Sequence, residues 1–206
     1  MHYRWFAQSE VASGSSVQLS ETWTVLEACH EHVFQYYAGE GSPANPPSSY
    51  ATIRLVCEKL GSHVKAHVRI YKQIPAGGTE AESPAVRGQQ AQTWDDPPEL
   101  VALRALTREK SQITPRLLDS KITSQGESGL VPGGFLDYVV WEVVPGRRLA
   151  SRITVEENTF WNMELDKREL IRQHFRKNYL QLCKWGYMPL HGRASRLVWD
   201  AESGTL

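Results

Sequence analysis

The chain has 206 residues, 41% of them hydrophobic, and its 23 basic side chains are balanced by 23 acidic ones. Zero net charge leaves no surplus of Lys and Arg to neutralise phosphates, which argues against nucleic acid and against an anionic membrane surface as partners. Met1-His2-Tyr3-Arg4-Trp5-Phe6 holds no leader-like apolar run, and no stretch reaches the roughly 18 apolar residues that cross a bilayer; a soluble, cytoplasmic chain without a membrane span is expected. The apolar content suffices for one sizeable core or two small lobes. Cys29, Cys57 and Cys183 lie far apart and form no CxxC pair, which points to reduced, mostly buried thiols rather than a disulfide framework or structural zinc.

In chain order, Leu26, Cys29, Val33 and Tyr36 recur at spacings of three and four and predict a helix from Ser20 to Tyr37. Residues 39–49, with their prolines, predict a loop. Tyr50 to Glu58 and Val64 to Tyr71 predict a hairpin around Leu60-Gly61-Ser62, because Val64, Ala66, Val68 and Ile70 alternate with Lys65, His67, Arg69 and Tyr71. Pro75 to Thr93 is polar and aperiodic, and predicts a mobile stretch. At Asp96-Pro97-Pro98-Glu99 an acceptor side chain, a first-turn proline and a glutamate three residues after the cap predict a helix start, with the helix running to about Lys110.

Thr114-Pro115 forces extended backbone, and Arg116 to Thr123 and Phe135 to Val143 predict two strands around the loop Gln125 to Gly134, the second broken by Pro145-Gly146. The last helix is predicted to open with Asp166 and Glu169 as a reciprocal cap, to carry Ile171, Phe175, Tyr179 and Leu182 on one face, and to end at Gly186. One strand, Arg196 to Trp199, follows. The fold class is α+β, with the sheet first and the long helix later.

Six words in this order carry a resemblance. They are His67-Val68-Arg69-Ile70-Tyr71-Lys72-Gln73-Ile74-Pro75, Glu99-Leu100-Val101-Ala102-Leu103-Arg104-Ala105-Leu106-Thr107, Thr114-Pro115-Arg116-Leu117-Leu118-Asp119, Val131-Pro132-Gly133-Gly134-Phe135, Trp141-Glu142-Val143-Val144-Pro145-Gly146 and Leu197-Val198-Trp199-Asp200. Over residues 50–206 the chain resembles the protein-kinase-like and aminoglycoside-phosphotransferase-like superfamily, particularly a group of fungal kinase-like proteins. After the N-terminal helix and loop at 1–49, the resemblance implies a kinase-like small lobe, antiparallel sheet plus helix, at 50–146 with its hinge at Glu142 to Gly146. A truncated helical large lobe at 147–206 would complete one compact unit.

Phosphoryl transfer in that family needs a strand lysine held by a helix glutamate, two metal ligands and a carboxylate that takes the substrate proton. The lysine position falls on Arg69 and the glutamate on Glu99, which implies an Arg69–Glu99 ion pair. Strand alternation sends Lys72 to the opposite face. His67 stands where many kinases keep a small residue under the adenine. Aligned back from Leu197-Val198-Trp199-Asp200, the metal-binding asparagine becomes Arg196 and the catalytic aspartate His191; aligned on His191-Gly192, the aspartate becomes Arg193. Gly39 and Gly41 sit among prolines ahead of the first strand, not in a phosphate-cradling loop between two strands. With base and metal ligands missing, phosphotransfer is not expected.

Other constellations read as structure. Cys29 and His30, adjacent on the expected helix, point about 100° apart and cannot share a tetrahedral ion, so no metal is expected. His174 reads as a core or boundary histidine, and Arg147-Arg148 with Lys167, Arg168, Arg172, Arg176 and Lys177 as solvated faces. Most of the seven tryptophans read as core, with Trp141 beside the hinge the best placed to line a cleft.

The resemblance therefore implies an interlobe cleft adapted to an apolar small molecule. Its most direct use is a cofactor-independent cyclisation of Diels–Alder or other pericyclic type in fungal specialised metabolism, terpenoids included. Such a step needs an apolar cavity and one or two hydrogen-bond donors, with no base, metal or cofactor. On this reading Arg69 and His191 are the catalytic donors, and His67, Tyr71, Glu99, Tyr138 and Trp141 line or support the cavity. The alternative is a catalytically dead, pseudokinase-like module that binds a protein or a nucleotide. The Ser20 to Tyr37 helix, or a second subunit in a homodimer, would cover the Asp166 helix.

Overall fold

The computed structural model describes residues 4–37, 47–93, 95–150, 159–189 and 192–206, and these form a mixed α and β chain with four helices. An antiparallel six-stranded sheet is built from β1 (Ser16–Gln18), β2 (Thr22–Phe34), β3 (Tyr50–Lys59), β4 (Lys65–Gln73), β5 (Leu117–Ser124) and β6 (Phe135–Glu142). Its spatial order is β1-β2-β3-β4-β6-β5. The β3–β4 hairpin forms where the alternation places it, turning at Gly61 with a positive φ of 77°.

The expected Ser20 to Tyr37 helix is instead the long strand β2. Two register shifts explain the misreading, one between Val25 and Glu27 and one between Ala28 and Glu31. A bulge inserts an extra residue and converts a strand's spacing of two into three, so an irregular strand imitates a helical period. Trp23, Val25 and Ala28 face the core, whereas Leu26 and Val33 of the supposed buried stripe are exposed. Thr22, Thr24, Val25 and Val33 are β-branched and favour the pleat.

Both faces of the sheet are covered. On one, Val25, Ile53, Leu55, Val68, Ile70 and Val140 pack with Trp5, Phe6 and Val11 of the N-terminal segment, which carries the short helix α1 (Gln8–Val11). On the other, α3 (Pro98–Arg108) lays Leu100 and Leu103 on Tyr71, Phe135, Val139 and Trp141.

The helix ends differ from expectation. Pro97 is the N-cap of α3, and the Asp96 carboxylate pairs with Arg104 instead of capping the first turn. The helix stops at Arg108, and Lys110 turns away with a positive φ of 54°. The stretch Pro75 to Thr93 is ordered rather than mobile. Ser83 caps α2 (Pro84–Gly88) by accepting from the Val86 N–H, and Gln90 Oε1 accepts from the Ala76 N–H at 2.9 Å. Its main-chain carbonyl takes the Gln73 amide at 2.7 Å, so side-chain amides supply the order that hydrophobic periodicity does not.

The chain divides into two compact units, one of Met1–Glu109 with Arg116–Val143, the other of Lys110–Pro115 with Val144–Leu206. The sheet, α1, α2 and α3 belong to the first. In the second, β7 (Arg147–Arg148) pairs with β8 (Val198–Trp199), and α4 (Leu165–Lys184) sets Ile171 against Leu149 and Trp199. α4 lacks the reciprocal cap: Glu164 is the N-cap without a side-chain bond, Asp166 lies within the first turn, and Glu169 pairs with Arg172. The expected apolar face is only partly used, since Ile171 is buried while Phe175 is exposed. The final strand is shorter than expected, its first residue taken into a 3-10 turn at Ala194–Arg196. Of the expected loop at 39–49, residues 39–46 lie outside the described residues, as does Trp94.

Candidate functional site

The pleat of β4 sends His67, Arg69 and Tyr71 to the α3 side of the sheet, and α3 brings Glu99 to meet them in its first turn. Arg69 Nη1 donates to both Glu99 oxygens at 2.8 Å, and the Tyr71 hydroxyl donates to Glu99 Oε2 at 3.0 Å. The expected ion pair forms, with a phenol as third member. Trp141 lies across from His67 in the β4–β6 register. Its ring is 5.5 Å from the His67 ring and 5.3 Å from the Arg69 guanidinium carbon. The face continues into aromatic side chains: Tyr50 stands 6.5 Å from Tyr71 and 6.4 Å from Phe135, and stacks on Phe34 at 4.8 Å.

Charge is fixed in this cluster. Burial works against the Arg69 cation, but Glu99 and Tyr71 outweigh it and hold the guanidinium above its ordinary range. Burial, reinforced by the Glu99 charge, pushes the Tyr71 phenol well up from its ordinary value. Tyr71 is therefore a neutral donor at physiological pH, and Glu99 accepts three hydrogen bonds from it and Arg69. About a quarter of the Arg69 and Glu99 side chains stays exposed, at 29% and 27%. The cluster can orient an acceptor atom against an aromatic wall.

Two of the expected members do not join it. Tyr138, three residues before Trp141 in the same strand, packs with the core on the opposite face, and alternation alone separates them. His191 lies outside the described residues. Tyr50, Phe34 and Phe135 are additions. The hairpin register that sets Thr52 opposite Tyr71 also brings Tyr50 beside it, a signal present in the spacing around Gly61.

Arg196, the residue that the sequence reading sets at a metal-binding asparagine, is the exposed last residue of the 3-10 turn Ala194–Arg196 in the second unit, and a guanidinium repels a cation. Among the described residues no three His, Cys, Asp or Glu side chains are grouped as metal ligands, and no helix is long and apolar enough to cross a membrane. Cys29 sits on β2, where its thiol accepts from Arg54 Nη2 at 3.4 Å. No protein-family model matches the chain, and the search of curated proteins found no match.

Proposed function

We propose that this chain is a kinase-like protein that has left phosphotransfer and uses the Arg69 face to bind an apolar small molecule bearing a carbonyl or similar acceptor. The reading extends to a cofactor-independent cyclisation of pericyclic type on a polyunsaturated, terpenoid-like skeleton. One observation carries it: the cation at the phosphate-holding position is closed onto Glu99 by both carboxylate oxygens, with a neutral phenol beside it and an aromatic wall around it. A glutamate-held cation also serves phosphate in the family, so it is the neutral phenol and the aromatic wall beside it that favour an apolar ligand with a neutral acceptor. A pericyclic step asks for that donor and for an apolar surface that holds the reactive conformer. The site uses no cofactor on this reading.

Farnesal and farnesene share an apolar skeleton and differ in the carbonyl, so calorimetric titration with each tests the reading. Tighter binding of farnesal by wild-type protein, and loss of that preference in Arg69→Met, is expected. Equal binding of the two, or an unchanged preference in a folded Arg69→Met protein, overturns it. A second reading, a turnover-free interaction module, is favoured by the exposed Leu165, Leu170 and Leu180 on α4.

A further inference from the structure

We propose that the solvent face of α4, with Trp161 at its head, is a binding surface for single-stranded nucleic acid; it shares no residue with the Arg69 face. From residue 170 to residue 199 the chain holds no Asp or Glu, while Arg172, Arg176, Lys177, Lys184, Arg193 and Arg196 all fall there. The neutral total hides this window, and a local run of cations, not the sum over the chain, is what a phosphate backbone meets.

The helix gathers these charges. Ile171 packs inward on Leu149 and Trp199, and on the other side Arg172, Arg176, Leu180 and Lys184 recur every four residues as one exposed stripe about 18 Å long, with Lys177 alongside. Arg172 shares its charge with Glu169. Arg176, Lys177 and Lys184 are exposed and meet no carboxylate among the described residues, so their charges are open to phosphates.

Trp161 makes the surface more than a charged stripe. Its side chain is 58% exposed, the Arg168 and Arg172 guanidinium carbons lie 5.6 Å and 5.9 Å from its ring centre, and the Phe160 ring meets it edge-on at 5.1 Å. Phe160 and the two arginines hold the indole while much of its surface stays open, and an aromatic ring beside a cationic track is a platform on which an unpaired base stacks. Bases inside a duplex are already stacked on one another and cannot use it. A bilayer or an amphipathic peptide fits less well, because the exposed Leu170, Phe175 and Leu180 are five residues apart and so point about 140° apart around the helix, with no common apolar face.

The test is fluorescence anisotropy of the full chain with a labelled oligothymidylate of about 16 nucleotides, beside its duplex with oligoadenylate, a polyglutamate peptide and vesicles containing phosphatidylserine. The single strand should bind saturably, with log Kd rising against log[NaCl] at a slope of about 2, as three phosphate contacts require. Combining Arg176→Ala with Lys177→Ala should weaken binding about tenfold and lower the slope to about 1. Trp161→Leu should weaken binding about fivefold and leave the slope unchanged, which separates stacking from charge. All three replaced side chains are exposed, and an unchanged Tm verifies the fold of each variant. Absence of strand binding, equal binding of the duplex, the polyglutamate or the vesicles, or unchanged affinity in both variants overturns the proposal.

Discussion

Asp137, in the middle of β6, has no solvent exposure; its Oδ1 accepts one long bond from the Thr123 N–H at 3.4 Å, and its Oδ2 accepts none among the described residues. Burial is the main cause that raises its pKa from 3.8 to about 6, opposed by Thr123 and assisted by Asp96. The folded-state value lies above the unfolded one, so the native state retains the proton. This group's contribution to stability is full below the unfolded pKa of 3.8 and is lost as pH rises through about 6, a swing of about 3 kcal/mol. Asp137→Asn should therefore raise Tm at pH 7.5 and flatten the fall in stability between about pH 4 and 6; a wild-type pH profile in that variant contradicts the assignment. Glu99→Gln removes the counter-charge of a guanidinium that is mostly buried, and should cost about 1–2 kcal/mol in denaturant melts, against about 0.5 kcal/mol or less for Glu169→Gln on the exposed Arg172 pair. The sequence pairs Arg69 with Glu99 only through the kinase resemblance, which sets a strand cation against a helix glutamate; alternation and the Pro97-Pro98 helix start place each residue on its element and do not by themselves choose the partner. Lys72 and Glu10 could not be paired, since 62 residues separate them and nothing local marks their meeting.

Elements were legible where one period ran unbroken. The β3–β4 hairpin, α3 and α4 follow their patterns to within a few residues. β2 did not, because two register shifts rewrote its spacing, and the order in residues 75–93 rests on amide side chains that leave no periodic trace. Glycine placement gives a test at this scale. Gly146 has a φ of +104°, and a Cβ there would stand 2.5 Å from the Trp199 carbonyl oxygen, where β7 meets β8. Gly61, with a φ of +77°, has open space around it. Gly146→Ala should cost more than about 2 kcal/mol and loosen the Leu149–Trp199 core, whereas Gly61→Ala should cost only the backbone strain of about 1 kcal/mol. Equal losses in thermal or denaturant melts would contradict this reading of the turn.

For the molecule as a whole, zero net charge conceals a division. In the unit of Lys110–Pro115 and Val144–Leu206 twelve basic side chains stand against seven acidic ones, while in the other unit sixteen acidic stand against eleven basic. The neutral total argued against a polyanion partner by averaging two opposite fields. The chain should accordingly be retained at low salt and pH 7 by both cation and anion exchangers and be released as salt screens each unit; passage through both would contradict the division.

The reading proposed for the Arg69 face is that its cation, held by Glu99, serves a neutral, apolar ligand rather than a nucleotide. Thermal unfolding with ATP plus magnesium, beside a panel of lipophilic terpenoid and polyketide metabolites, tests it most directly, because a ligand that binds only the native state raises Tm. Stabilisation by members of the lipophilic panel, absent in Arg69→Met, with no response to ATP and magnesium, is the predicted result. A magnesium-dependent rise with ATP, or a panel response that survives Arg69→Met, would contradict it.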